Sequence, residues 1–468
     1  MDSLPTELLQ QICLDIQSTD VSSSDWRALS LVSSMSKPNS CDQLADVTAE
    51  RFHSITLPFL YHTINEKQLR STSLSDALTR RPAYTALVRS ATWQLLARPK
   101  GRQSGDGTDD QLGHQIQQLS RFSASECLSI IAGEESDVGT GETEYKLDLV
   151  PTNEQLAELK MERLYSLSFC SPAVTFRMCS KIWTMLHCLA SNTTSLSLVF
   201  SSGILFEDLP RQLEWASVRS LDIQDPASDG DSDLEIRDFL DNCPTIQCFD
   251  FSYGNNPCGL EAFFGSCLEN STWRLLVRHI RLSEAHIEDY DADRMDVASI
   301  ASSLPQLQTL ELNFITRKLP FQPVRLSAMQ DHLSALFPPS QANDSLTSMI
   351  ITCDSAFDLL LRSGGFKIEA LASLLNRDIF PKLQRFIFRC QKSEEYYWVE
   401  DGPPEEDGQP VERYRVDDEY KNDLRKLVNV VPSNLVVTLG YIAGAAGRVE
   451  SFSGSSETGM EVNYWRSG

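Results

Sequence analysis

After residue 85 the same spacing of apolar positions, L-x-x-L-x-L with substitutions, recurs along the chain. Copies begin at Val88 (with Ala91 and Trp93), Leu164 (Leu167, Phe169), Val218 (Leu221, Ile223), Ile246 (Phe249, Phe251), Val277 (Ile280, Leu282), Leu307 (Leu310, Leu312), Leu346 (Met349, Ile351) and Leu383 (Phe386, Phe388). A weaker copy starts at Thr193, with Leu196 and Leu198. The last two apolar positions alternate with polar ones, as in a strand that buries one face. Between copies, three sets approximate helical spacing: Leu234, Ile236, Phe239 and Leu240; Val297, Ile300, Ala301 and Leu304; Leu326, Met329, Leu333 and Leu336. Pro244, Pro305 and Pro381 each stand two residues before the first apolar position of a copy. Proline ends the preceding helix and biases its neighbour toward extended geometry, so each copy reads as helix, stop, strand.

From Leu164 to Leu307 the copies lie about 25 to 31 residues apart, near the upper end of the leucine-rich-repeat range. A strand-plus-helix unit of that size cannot bury its own apolar face, so neighbours must stack into a parallel sheet. The fold class expected is α/β: an all-α N-terminal module followed by an irregular leucine-rich-repeat-like solenoid, with parallel strands inside and helices outside. A compact doubly wound α/β domain would show similar alternation. Against it stands the absence of the Gly-rich strand-to-helix turn that its cofactor-binding versions carry.

The N-terminus follows a different pattern. Leu4-Pro5-Thr6-Glu7-Leu8-Leu9-Gln10-Gln11-Ile12 places Pro5 and Glu7 in a first helical turn and Leu8, Leu9 and Ile12 on one face. After a polar stretch, Asp25 at an N-cap opens a second amphipathic run through Leu29, Val32 and Ser33. The two segments resemble the F-box, whose pattern is Leu-Pro-x-Glu-(Leu/Ile)-Leu-x-x-Ile, a spacer, then Asp-Leu-x-x-Leu-x-x-Val-(Cys/Ser). Leu4, Pro5, Glu7, Leu8, Leu9, Ile12, Asp25, Leu29, Val32 and Ser33 match it. Arg51-Phe52-His53-Ser54-Ile55 and Pro58 to Ile64 resemble the segment that follows the F-box in many fungal members.

That resemblance implies a substrate-recognition adaptor of an SCF-type cullin ubiquitin ligase, itself not an enzyme. The module would dock on the small adaptor subunit through Leu4, Pro5, Leu8, Leu9, Ile12, Leu29 and Val32, and through it reach a cullin. The repeat body would hold a protein substrate for ubiquitination. An F-box scaffold acting outside a ligase, or a plain repeat-type binding module, is the alternative. One departure from the family is the stretch from Met35 to Glu50, which intervenes before Arg51-Phe52. It is either a surface loop, whose added length costs little to close, or a retained intron in the gene model.

The organisation expected is therefore an F-box and following helix over 1–64, with an insertion at 35–50, and a linker helix over 65–85. The repeat domain would occupy 86–440 and a flexible Gly- and Ser-rich tail 441–468. Glu394 to Glu419 is strongly acidic around Pro403-Pro404, which predicts a disordered loop near 391–420.

Charge and composition narrow the function. A net charge of -24 disfavours nucleic acid and anionic membrane surfaces as partners and leaves proteins. The opening residues show no secretory or mitochondrial leader, and the longest weakly polar run, Leu435 to Ala446, is too short to span a bilayer. Location in the cytoplasm, the nucleus or both is expected. Triplets of glycosylation type at Asn192, Asn270 and Asn343 then carry no meaning. Twelve cysteines form no C-x-x-C pair, and Cys258, Cys267, His279 and His286 match no common zinc spacing. No cofactor or metal is expected, and no G-x-S-x-G, P-loop, H-E-x-x-H or kinase signature is present.

If the apolar positions of each copy point inward, the residues between them line up on the other face. One row reads Ser168, Ser197, Asp222, Asp250, Arg281, Glu311, Ile350 and Ile387, and its neighbour includes His279, Thr309 and Arg385. Asp222, Asp250, His279, Arg281, Glu311 and Arg385 are the candidate substrate-binding residues. Mixed charges of this kind suit recognition of a protein by complementary potential.

Overall fold

The computed structural model of the chain describes residues 61–69, 71–95, 97–99, 108–132, 145–147, 151–159, 161–171, 176–177, 180–200, 204–205, 213–225, 239–253, 272–285, 299–314, 334–354, 375–376, 378–391, 435–443, 448–455 and 459–466. The F-box-like residues Leu4 to Ser33, the insertion at 35–50 and the acidic stretch from Glu394 to Glu419 lie outside the described residues. The chain divides into two compact units, one of residues 1–200 with 208–213 and one of 201–207 with 214–468.

In the first unit the strands of the larger sheet are β1 (Thr63–Ile64), β2 (Ser90–Leu95), β3 (Cys127–Ala132), β4 (Ser166–Ser171) and β5 (Ser195–Phe200). Each runs parallel to its predecessor in the chain, with Ile64 opposite Ala91, Ala91 opposite Leu128, Leu128 opposite Leu167 and Leu167 opposite Leu196. A doubly wound sheet reverses its strand order at a switch point, whereas sequential order belongs to a solenoid.

The apolar pattern explains which face is buried. Ala91, Trp93, Leu128, Ile130, Leu167, Phe169, Leu196 and Leu198 are sealed from solvent, while the residues between them are partly open. Burying one such large side chain contributes about 1.5–3 kcal/mol relative to leaving it exposed.

Helices of the first unit are α1 (Glu66–Leu69), α2 (Thr72–Arg80), α3 (Thr108–Leu119), α4 (Asn153–Ala157) and α5 (Ser180–Leu189). Buried Ile182, Trp183, Met185, Leu186 and Leu189 define the inner face of α5. Trp93 on β2 donates its indole N–H to Gln115 Oε1 of α3 at 2.9 Å, which satisfies a buried donor that apolar packing alone would strand. Thr152 and Gln155 form a reciprocal capping box at the start of α4.

The second unit repeats the plan. Its parallel strands in the larger sheet are β6 (Ser220–Asp225), β7 (Cys248–Tyr253), β8 (His279–Ala285), β9 (Thr309–Phe314), β10 (Ser348–Asp354), β11 (Arg385–Gln391) and β12 (Val436–Ala443). Each is parallel to the one before it. A short helix, α6 (Ile300–Ser303), buries Ile300 ahead of β9.

One backbone device punctuates both units. The first apolar residue of a copy precedes its strand by two positions, and its N–H donates to the carbonyl three residues earlier. This bond joins Val88 to Thr85, Leu164 to Met161, Val218 to Trp215, Ile246 to Cys243, Leu307 to Leu304 and Leu383 to Phe380. The following residue then offers its carbonyl to two successive N–H groups of the next copy: Arg219 to Gln247 and Cys248, Gln247 to Arg278 and His279, Arg278 to Gln308 and Thr309. A carbonyl that accepts from two successive N–H groups ties the start of each of these strands to its neighbour. In the Leu346 copy a side chain supplies the acceptor, since Asn343 Oδ1 receives the Leu346 N–H at 2.9 Å and the Ser345 N–H at 3.2 Å.

Three boundaries differ from the sequence reading. The expected linker helix over 65–85 is two helices, α1 and α2, followed by a 3-10 turn at Pro82–Leu87. Asn65 and Gln68 cap each other's backbone N–H groups at 2.9 Å to start α1, and Pro82 lacks the N–H that would extend α2. The parallel array begins at Thr63 instead of residue 86, because β1 pairs with β2.

The tail expected to be loose over 441–468 contains strands β13 (Arg448–Ser455), antiparallel to β12, and β14 (Gly459–Arg466), antiparallel to β13. Alternation in Met460-Glu461-Val462-Asn463-Tyr464 matches a strand period that the Gly and Ser content had masked.

Candidate charged row on an open sheet face

Strand register decides which side chains share the open face of the second unit. Asp222, Asp250, Arg281, Glu311, Ile350 and Ile387 are successive partners from β6 to β11. Two residues earlier on each strand, Ser220, Cys248, His279, Thr309, Ser348 and Arg385 form a parallel row. His279 and Arg385 are therefore separated by two strands and do not meet. Two residues later, Gln224, Ser252 and Ser283 continue the polar face, with Asn313 donating to Ser283 Oγ at 3.0 Å. Ser168 and Ser197 pair in the first unit, preceded by Ser129 and Thr92, so that row is neutral and hydroxyl-bearing.

Charge concentrates on β6 to β9. Arg281 lies between two carboxylates, with Nη1 3.4 Å from Asp250 Oδ2 and Nε 3.5 Å from Glu311 Oε1. Its side chain is 50% exposed, against 35% for Asp250 and 19% for Glu311. Asp222, the register partner of Asp250, accepts from Gln224 Nε2 at 3.3 Å.

Burial pushes the Asp250 carboxyl up to about 6; attraction to Arg281 opposes this, while repulsion from Asp222 and Glu311 adds to it. Partial burial, and then the neighbouring Arg278 guanidinium, lower the pKa of His279. Farther along the row Ile350 is partly open and Ile387 is 2% exposed, so the charged end and the apolar end differ in both chemistry and access.

The row brings three carboxylates and one guanidinium together on successive strands. Among the described residues no group of three or more His, Cys, Asp or Glu side chains is placed to hold a metal ion. Cys258, Cys267 and His286 lie outside the described residues, as do Leu4, Pro5, Leu8, Leu9, Ile12, Leu29 and Val32. Among the described residues no helix is long and apolar enough to cross a membrane. Asn343 is 2% exposed and its side-chain amide faces the interior, which closes that triplet to glycosylation in the folded state.

Neither a protein-family model nor a curated protein sequence matches the chain. The sequence reading missed the copy at Ser125, Leu128 and Ile130, all buried, because a hydroxyl occupies the first apolar position. It also missed the third row, at Gln224, Ser252 and Ser283, which the same offset along each strand would have supplied.

Proposed function

We propose that this chain is a protein-recognition adaptor, the substrate receptor of an SCF-type ubiquitin ligase, with a leucine-rich-repeat-like body. The observation that carries the recognition half is the register-matched row Asp222, Asp250, Arg281 and Glu311 on an open sheet face. A rigid array that offers one charged side chain per strand suits capture of a protein surface, since complementary charge governs specificity and encounter rate. The ligase half rests on the F-box-like residues Leu4, Pro5, Leu8, Leu9, Ile12, Leu29 and Val32, whose i, i+3, i+4 spacing suits a helix-in-groove contact with the adaptor subunit. Catalysis then belongs to other subunits, and this chain contributes proximity between a substrate lysine and the charged ubiquitin carrier, in the cytoplasm or nucleus.

The test is affinity purification of the tagged chain beside a Leu8→Asp, Ile12→Asp variant. Adaptor and cullin should accompany the parent chain and vanish with the variant. Their absence from a well-folded parent chain refutes the ligase reading.

A further inference from the structure

We propose that the open face of β6 to β9 docks a cationic α-helix of a protein partner, laid along the charged row and across the strands. This deepens the protein-recognition reading and rests on it.

Charge sets the chemistry of the occupant. Asp222, Asp250 and Glu311 place three carboxylates along the row, and Arg281 supplies the guanidinium, already shared between Asp250 and Glu311. The row is anionic at neutral pH and its complement is cationic. Asp222 and Asp250 are also direct register partners on adjacent strands, an arrangement of like charges that costs a sheet stability. Small side chains flank both carboxylates, Ser220 and Cys248 on one side and Ser252 beyond Asp250 on the other, so a partner element can approach closely.

Spacing sets the geometry. Neighbouring strands lie about 4.8 Å apart, so the four charged positions fall at roughly 0, 4.8, 9.6 and 14.4 Å along the row. An α-helix rises about 1.5 Å per residue, and its positions i, i+3, i+7 and i+10 share a stripe at about 0, 4.5, 10.5 and 15 Å. An extended strand repeats on one face only every 6.6 to 6.8 Å or so and drifts out of step after one contact. The matching partner carries Lys or Arg at i, i+3 and i+10, facing Asp222, Asp250 and Glu311, with an acidic residue at i+7 facing Arg281.

The test uses the full chain and three fluorescent Ala-rich peptides. One carries Lys at i, i+3 and i+10 with Glu at i+7; the second has the same composition scattered around the helix; the third has the patterned charges with a central proline. Anisotropy titration should show the patterned peptide binding roughly tenfold more tightly than either control. An Asp222→Asn, Asp250→Asn variant should lose that preference, and Arg281→Gln, which leaves the row more negative, should tighten binding of a version with Lys at i+7 about threefold.

Equal binding of the scattered peptide, or an unchanged preference in both variants, overturns the proposal. Equal binding of the proline peptide assigns the face to an extended basic segment and overturns the helix. Failure of the ligase reading is read separately, as loss of adaptor and cullin from the purification, which these substitutions leave unchanged.

Discussion

Asp250→Asn tests the balance of forces in the charged row. Burial raises the Asp250 pKa from 3.8 to about 6. A carboxyl whose folded-state pKa lies above its unfolded value binds a proton more tightly when folded. It therefore contributes stability that is fully present below about pH 4 and is lost as pH rises through about 6. At neutral pH the charge on Asp250 is a net cost, repelled by Asp222 and Glu311 and only in part offset by Arg281.

At about 1.4 kcal/mol per tenfold change in proton affinity, the displacement corresponds to about 3 kcal/mol. Solvent screening of a side chain 35% exposed reduces this to roughly 1 to 1.5 kcal/mol. Asparagine keeps an oxygen for Arg281 and removes the charge. The variant should exceed the parent in stability by about 1 kcal/mol at pH 7.5 and converge with it near pH 4. Urea titration followed by hydrogen exchange of peptides spanning β6 to β9 reads this locally. A variant less stable than the parent at pH 7.5 refutes the reasoning, because pairing with Arg281 would then outweigh burial.

Gly113 lies inside α3, and a Cβ built there meets nothing within 4 Å, so Gly113→Ala should stabilise the first unit by about 0.5–1 kcal/mol in urea unfolding; a loss would refute this. Asn343→Ala strands the buried Leu346 N–H and should destabilise the second unit by about 1–3 kcal/mol. An effect under about 0.5 kcal/mol would mean that the backbone turn closes there as in the other copies. The Leu8→Asp, Ile12→Asp purification and the peptide titrations test the two functional proposals.

The sheet was legible because most copies carry two signals at once, alternation within the strand and an apolar residue two positions ahead of it. Register followed from the same offsets, which is why Asp222, Asp250, Arg281 and Glu311 could be aligned before any geometry was known. Where one signal failed, the element was lost. Ser125 fills an apolar position with a hydroxyl, and the glycines and serines around β13 and β14 hid a strand period carried by Val449, Met460 and Val462. Nor did spacing reveal how Arg281 divides itself between Asp250 and Glu311, since that depends on rotamers. The helix starts at Asn65 and Thr152 could have been found, because each is a residue whose side chain pairs with a Gln three positions on.

Sequential strand order has an evolutionary corollary. Asp222, Asp250, Arg281 and Glu311 come from separate copies, each attached to its neighbours by the same backbone bonds regardless of the side chain displayed. Substitution at one of these positions changes the displayed side chain and its cross-strand pairing while the backbone bonds between copies persist, and duplication of a copy would lengthen the row by one residue. Such a surface can drift from one partner to another by single steps, each leaving a folded protein behind it.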